Sequence, residues 1–192
     1  MIVRRVAAVL ALDVVGYTTH MTVDELATLQ QLQNLRQKTL LPAFEKWQGR
    51  VFKEMGDGLL VEFVSVVEAV ECAHFIQQIS HADAARSSEG SLSLRIGIHF
   101  GEVIVENDDL LGETVNIAAR IESICEPGDV WISSQARQVV GNRLELGFEP
   151  LGSRRLKNLA EPIDIYRVGF RVEQTENKNL PPVPTSGPHL LI

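Results

Sequence analysis

The sequence predicts an α+β domain of the ferredoxin-like, split β-α-β type, followed by a C-terminal extension. Three observations predict it. Strand-like and helix-like segments follow one another in the order strand, helix, strand, strand, helix, strand. The two helices of that order open on capping boxes. The first strand-like run is apolar on both faces, as a strand in the middle of a covered sheet must be. With 192 residues and 45% hydrophobic composition, the chain can build one real core.

The first strand is Val6-Ala-Ala-Val-Leu-Ala-Leu-Asp13-Val-Val-Gly16. Thr22-Val-Asp-Glu25 reads as the first capping box, with Met21 and Leu26 placed for a hydrophobic staple. Its helix carries Leu26, Leu29, Leu32, Leu40 and Phe44 at helical spacing and runs to about Trp47, before Gly49. Val51 to Met55 and Leu59 to Phe63 form a hairpin around Gly56-Asp57-Gly58. Ser65-Val-Val-Glu68 opens the second helix, with Ala69, Ala73, Ile76 and Ile79 on one side.

Leu92 to Phe100 alternates strictly. Leu92, Leu94, Ile96, Ile98 and Phe100 face one way, and Ser93, Arg95, Gly97 and His99 the other. Gly101 to Val105 is expected to be a partner strand. A third helix begins near Glu113 or Thr114 and ends before Pro127-Gly128, a short fourth follows Ser133-Ser134, and Val130 to Ile132 and Ile163 to Val168 complete the sheet. The domain is expected over residues 1–170. Residues 171–192 turn polar and hold Pro181, Pro182, Pro184 and Pro188, which reads as a disordered tail or linker.

A net charge of −7 with no basic face argues against general nucleic-acid binding. No segment approaches the ~18 apolar residues of a membrane span. The early apolar run is interrupted by Asp13 and lacks a cleavage pattern, so a cytoplasmic protein is expected. Cys72 and Cys125 lie in apolar stretches and read as buried thiols. The five histidines show no zinc-ligand spacing, and His99 and His74 read as structural.

Asp13 is the residue that demands an explanation, because an ionised carboxylate in a buried strand is costly without a cation or a set of donors. Asp57 alone is an ordinary hairpin-turn residue. Together the two sit at the ends of neighbouring strands, where divalent ions could be shared. Glu54 and Glu62 fit solvated strand faces. Lys53 alone reads as solvated. Asn116 and Arg120 are four apart on one helix face, either an outer polar face or a donor pair aimed at an anion. Arg154, Arg155 and Lys157 read alone as a basic turn.

Five segments in order carry a resemblance. They are Ala11-Leu-Asp-Val-Val-Gly-Tyr-Thr18, Lys53-Glu-Met-Gly-Asp-Gly58, Arg95-Ile-Gly-Ile-His-Phe-Gly101, Gly112-Glu-Thr-Val-Asn-Ile-Ala-Ala-Arg120 and Leu156-Lys-Asn158. Over residues 5 to 168 the chain resembles the class III nucleotidyl cyclases, whose catalytic domain is polymerase-palm-like, and among them stand-alone bacterial domains of the adenylate cyclase type. The resemblance implies that Asp13 and Asp57 bind two divalent cations, Mg2+ or Mn2+. It implies that Lys53 and Asp109 read the base, that Asn116 orients the ribose, and that Arg120 stabilises the transition state. Lys157 would hold the triphosphate, and the backbone amides of Val14, Val15, Gly16, Tyr17 and Thr18 would cradle the phosphates.

Adenine offers an acceptor at N1 and a donor at its amine, which Lys53 and Asp109 complement. Guanylate cyclases of the family carry Glu and Cys or Ser there, so ATP is the expected substrate. Asp109 rather than Asp108 is assigned because it lies seven residues before Asn116. The implied reaction is ATP to 3′,5′-cyclic AMP and pyrophosphate by attack of the ribose 3′-hydroxyl, with cation assistance. No His or Glu stands out as a general base. The family builds its sites at a dimer interface, so a head-to-tail homodimer with two shared sites is expected. A guanylate cyclase and a non-catalytic nucleotide-sensing domain are the competing readings.

Overall fold

A computed structural model describes residues 3–86, 91–157, 159 and 161–169. The proline-rich segment assigned as a tail, residues 171–192, and Asn158 of the last motif therefore lie outside the described residues. The chain forms one mixed sheet in the order β2-β3-β1-β4-β6-β8-β7, with β5 paired to β4. The elements are β1 (Val3–Val14), α1 (Tyr17–Val23), α2 (Glu25–Leu35), α3 (Leu41–Lys46), β2 (Arg50–Met55), β3 (Gly58–Phe63), α4 (Val66–Arg86), β4 (Leu94–Glu106), β5 (Asp109–Leu111), α5 (Glu113–Ile124), β6 (Val130–Ser133), α6 (Ser134–Val140), β7 (Phe148–Arg154) and β8 (Ile163–Val168).

The quartet β2-β3-β1-β4 is antiparallel throughout, which is the expected split β-α-β arrangement. The extension adds β6 parallel to β4, then β8 and β7 antiparallel. β1 is central and covered on both faces. Ala8, Leu10, Leu12 and Val14 join the core beneath α2, α3, α4 and α6, whereas Ala7, Val9 and Ala11 pack with Ala118 of α5 on the other side. Asp13 shares the α5 face by strand alternation.

Several local expectations needed correction. The first helical region starts at Tyr17 and breaks at Asp24, whose carboxylate, not the Thr22 hydroxyl, caps α2 by accepting from the Ala27 amide at 3.0 Å. Thr22 instead bonds back to the Thr18 carbonyl. The resulting phase change leaves Leu26 75% and Leu29 37% exposed, while Leu32, Leu40 and Phe44 are buried as expected. A π segment, Arg36–Leu40, joins α2 to α3, with the Leu41 amide reaching the Arg36 carbonyl. It precedes Pro42, which has no amide to give residue 38 and whose ring would crowd that carbonyl.

Leu94–Glu106 is one strand, not a strand and its partner: Gly101 lies opposite Ala7 in unbroken pairing with β1. The short strand β5 and the exposed strand β7 carry no strong apolar alternation and escaped the sequence reading. Glu62 is buried rather than solvated, held by Arg5 and by Arg50, whose Nη2 lies 2.7 Å away. The Ser65 cap of α4, the Ser133 cap of α6 and the two buried free cysteines are as expected. His99 is structural: its Nδ1 lies 2.7 Å from the buried Ser133 hydroxyl, and burial pushes its pKa down to about 4. No described helix is long and apolar enough to cross a membrane.

Candidate active site

Asp57 occupies the second position of a two-residue turn, Gly56-Asp57, between Met55 and its cross-strand partner Gly58. Gly56 has φ +64°, the left-handed value that glycine adopts without strain. The turn directs Asp57 back to the end of β1, where its Oδ2 accepts from the Val14 amide at 3.3 Å. Burial raises the Asp57 pKa first, and the adjoining Asp13 carboxylate raises it further by hydrogen bond and by charge. The two carboxylates expected to act together do lie together, and their mutual repulsion makes it costly to keep both ionised without a cation nearby.

Two residues to which the sequence assigned no role complete this corner: Arg95, which opens one of the five motifs, and Glu122. Arg95 lies opposite Asp13 in the β1–β4 register and donates from Nη2 to Asp13 Oδ2 at 2.8 Å. Glu122 of α5 sits 3.2 Å from Arg95 Nε. Burial lifts Glu122 to about 7, the charge on Asp13 adds to the rise, and Arg95 opposes it. Placing Arg95 beside Asp13 required the strand register, which alternation alone does not supply.

Lys53 and Asp109 meet, with Nζ 3.3 Å from Oδ2. Asn107 and Asp108 both have positive φ and form the tight turn from β4 to β5, and the Asp108 carbonyl accepts from Arg50 at 2.7 Å. Asp109 thus presents the carboxylate to Lys53 while Asp108 serves the turn. Asn116 is exposed and Arg120 half-buried on α5, and Lys157 is exposed after β7. Among the described residues none of these three side chains forms an ion pair with the Asp13–Asp57 corner. The Val14 and Val15 amides are already engaged, by Asp57 and by the Ser93 carbonyl at 2.8 Å. The amides of Gly16, Tyr17 and Thr18 open α1 and have no acceptor within that helix.

Hard divalent cations take oxygen ligands, and a closely paired, mutually repelling set of carboxylates fits them. Among the described residues no cluster of three or more His, Cys, Asp or Glu side chains has metal-holding geometry. Protein carboxylates would therefore supply part of a coordination shell, with phosphate and water oxygens completing it, as is usual for Mg2+.

Comparison with known proteins identifies the family and the fold. Residues 5–168 match the model of the adenylate and guanylate cyclase catalytic domain. A Rhizobium meliloti protein named "Putative adenylate cyclase 3" is 42% identical over 164 residues, covering 85% of this chain and 28% of its own length. The chain therefore spans little more than a quarter of that relative. The crystal structure of an adenylate/guanylate cyclase/hydrolase from Silicibacter pomeroyi superposes with a TM-score of 0.83 at 32% identity, covering 88% of this chain and 99% of that one. The adenylyl cyclase CyaB from P. aeruginosa shares the fold, with a TM-score of 0.77 at 22% identity over 88% of this chain and 95% of that one. The family uses divalent metal ions, binds nucleotide substrates and functions as a dimer. The chain belongs to the class III nucleotidyl cyclase catalytic domain family.

Proposed function

We propose that this domain converts ATP to 3′,5′-cyclic AMP and pyrophosphate. The observation that carries the choice of ATP is the Lys53–Asp109 pair, which presents one donor and one acceptor 3.3 Å apart. Adenine N1 accepts from Lys53, and the exocyclic amine donates to Asp109. Asn116 orients the ribose, Arg120 stabilises charge developing on the α-phosphoryl oxygens, and Lys157 neutralises the departing pyrophosphate. The amides of Gly16, Tyr17 and Thr18 receive phosphate oxygens at the start of α1. Asp13 and Asp57 hold two divalent cations, Mg2+ or Mn2+, which when bound lower the pKa of the attacking hydroxyl and offset triphosphate charge.

Among the described residues neither Arg120 nor Lys157 forms an ion pair with Asp13 or Asp57, which accords with a site divided between two chains. In a head-to-tail homodimer, one chain gives the aspartates and its partner gives Lys53, Asp109, Asn116, Arg120 and Lys157. The test is product analysis by mass spectrometry with Mn2+ and competing ATP and GTP. Cyclic AMP should dominate, and Asp13→Ala should abolish it. Cyclic GMP as the main product would establish the guanylate reading, and ATP binding without turnover a sensing domain. Mixing inactive Asp57→Ala and Arg120→Ala chains should restore activity through one intact site. No recovery in verified heterodimers would sink the divided site.

A further inference from the structure

The guanidinium of Arg95 is gripped from two sides. On the sheet it makes one contact, the 2.8 Å hydrogen bond from Nη2 to Asp13 Oδ2. On α5 it makes two, with Nε 3.2 Å from Glu122 Oε1 and Nη1 donating to the Ser123 carbonyl at 3.4 Å. The α5 contacts are imperfect. Arg95 Nε and Glu122 Oε1 are both buried without an aligned hydrogen-bond partner among the described residues, although they lie side by side.

We propose that Arg95 is the resident counter-ion of Asp13, which a divalent cation must displace, and that Glu122 is the positioning residue that receives it. The inference rests on the reading that Asp13 and Asp57 bind the cation. A cation on Asp13 Oδ2 and a guanidinium on the same oxygen are like charges in contact. Once Nη2 is released, a small rotation aligns Nε–H with Glu122 Oε1 and satisfies two buried polar atoms together. α5 lies close on the sheet here, with Gly97 of β4 directly against the backbone of Ala118 and Glu122, which keeps Glu122 within reach of Arg95. Asp13, Asp57 and Glu122 surround one guanidinium, so carboxylates outnumber the cationic groups at this corner.

Mn2+ binding to the nucleotide-free chain, measured by the electron paramagnetic resonance of free Mn2+, tests this without reference to catalysis. Arg95→Gln should tighten Mn2+ binding by about tenfold. Glu122→Gln should weaken it by about threefold in the wild-type background, yet by less than about twofold when Arg95 is also Gln, because Glu122 acts through Arg95. Equal effects of Glu122→Gln in both backgrounds, or unchanged or weaker binding in Arg95→Gln, overturn the proposal. Arg95→Met keeps the apolar stem and substitutes for Arg95→Gln if that variant does not unfold cooperatively. Asp13→Asn separates the two readings. Mn2+ binding that survives it refutes the cation site itself, whereas Asp13-dependent binding indifferent to Arg95 refutes only the counter-ion exchange. No Asp13-dependent binding in either the wild-type chain or Arg95→Gln also overturns the exchange.

Discussion

Gly97 and Glu122 touch backbone to backbone: a Cβ at Gly97 would collide with the Glu122 amide nitrogen and lie 2.6 Å from the Ala118 carbonyl oxygen. This contact sets the depth at which α5 lies on β4. It thereby places Glu122 against Arg95 and carries Asn116 and Arg120 on the same rigid element.

Gly97→Ala should therefore act on both stability and activity. The obstruction is helix backbone, which cannot turn aside as a side chain would, so the substitution should cost about 3 kcal/mol in urea unfolding. Cyclase activity should fall further than the unfolded fraction explains, since α5 shifts in the molecules that remain folded. A midpoint within error of wild type would show that α5 is not held by this contact.

Glu62 is 5% exposed, between Arg5 and Arg50. Burial pushes its pKa up, but hydrogen bonds and charge from both guanidiniums outweigh that, and the net shift is downward from 4.5. The folded state thus binds this proton less tightly than the unfolded state. Its stabilisation is complete above about pH 4.5 and disappears as pH falls through the lowered folded value. Glu62→Gln should destabilise the protein by about 1–2 kcal/mol at neutral pH, discounted for the half-exposed arginines, and by much less in acid. Urea midpoints of both proteins across that range check this.

Glu122 shifts in the opposite direction, from 4.5 to about 7, chiefly through burial and then the charge of Asp13. The folded state binds its proton more tightly, so the cation-free protein should lose stability as pH rises from about 4.5 to about 7. Glu122→Gln lacks this component. Its stability relative to wild type should increase by about 2 kcal/mol between about pH 5 and about pH 8. A pH-independent difference between the two proteins in thermal unfolding would contradict the assignment.

Base choice should follow the Lys53–Asp109 pair. Lys53→Glu combined with Asp109→Cys replaces one donor–acceptor pattern with another suited to guanine. The ratio of kcat/KM for ATP over GTP should fall by at least about tenfold, because mismatched polar groups at a hydrogen-bonding site are costly. A ratio left unchanged would remove these two residues from base recognition.

The order of elements was legible because it is written locally: alternation in Leu92 to Phe100, the Gly56-Asp57 turn and the Ser65 cap each depend on a few neighbouring residues. The cap of α2 differs from the expected one because Thr22 and Asp24 both offer N-cap chemistry, and only the bend after Val23 chose between them. Of the candidate site, the nearness of Asp13 and Asp57 at strand ends was legible, and Lys53 and Asp109, expected to act on one base, do lie together. Arg95 and Glu122 were not legible as part of it.

By itself the sequence determined the split β-α-β core, the covering of β1 on both faces up to a half-buried Asp13 at its end, and the family to which the domain belongs. These follow from hydrophobic period, turn chemistry and short motifs, all properties of near neighbours along the chain. Tertiary structure alone decided what neutralises Asp13. The β1–β4 register sets Arg95 beside it, and the close approach of α5 at Gly97 brings Glu122 to the far side of the same guanidinium. The same level decided that Glu62 is buried between Arg5 and Arg50. Charges distant in sequence compensate one another only where strand register and helix depth bring them within a few ångströms, and neither quantity is encoded in any single segment.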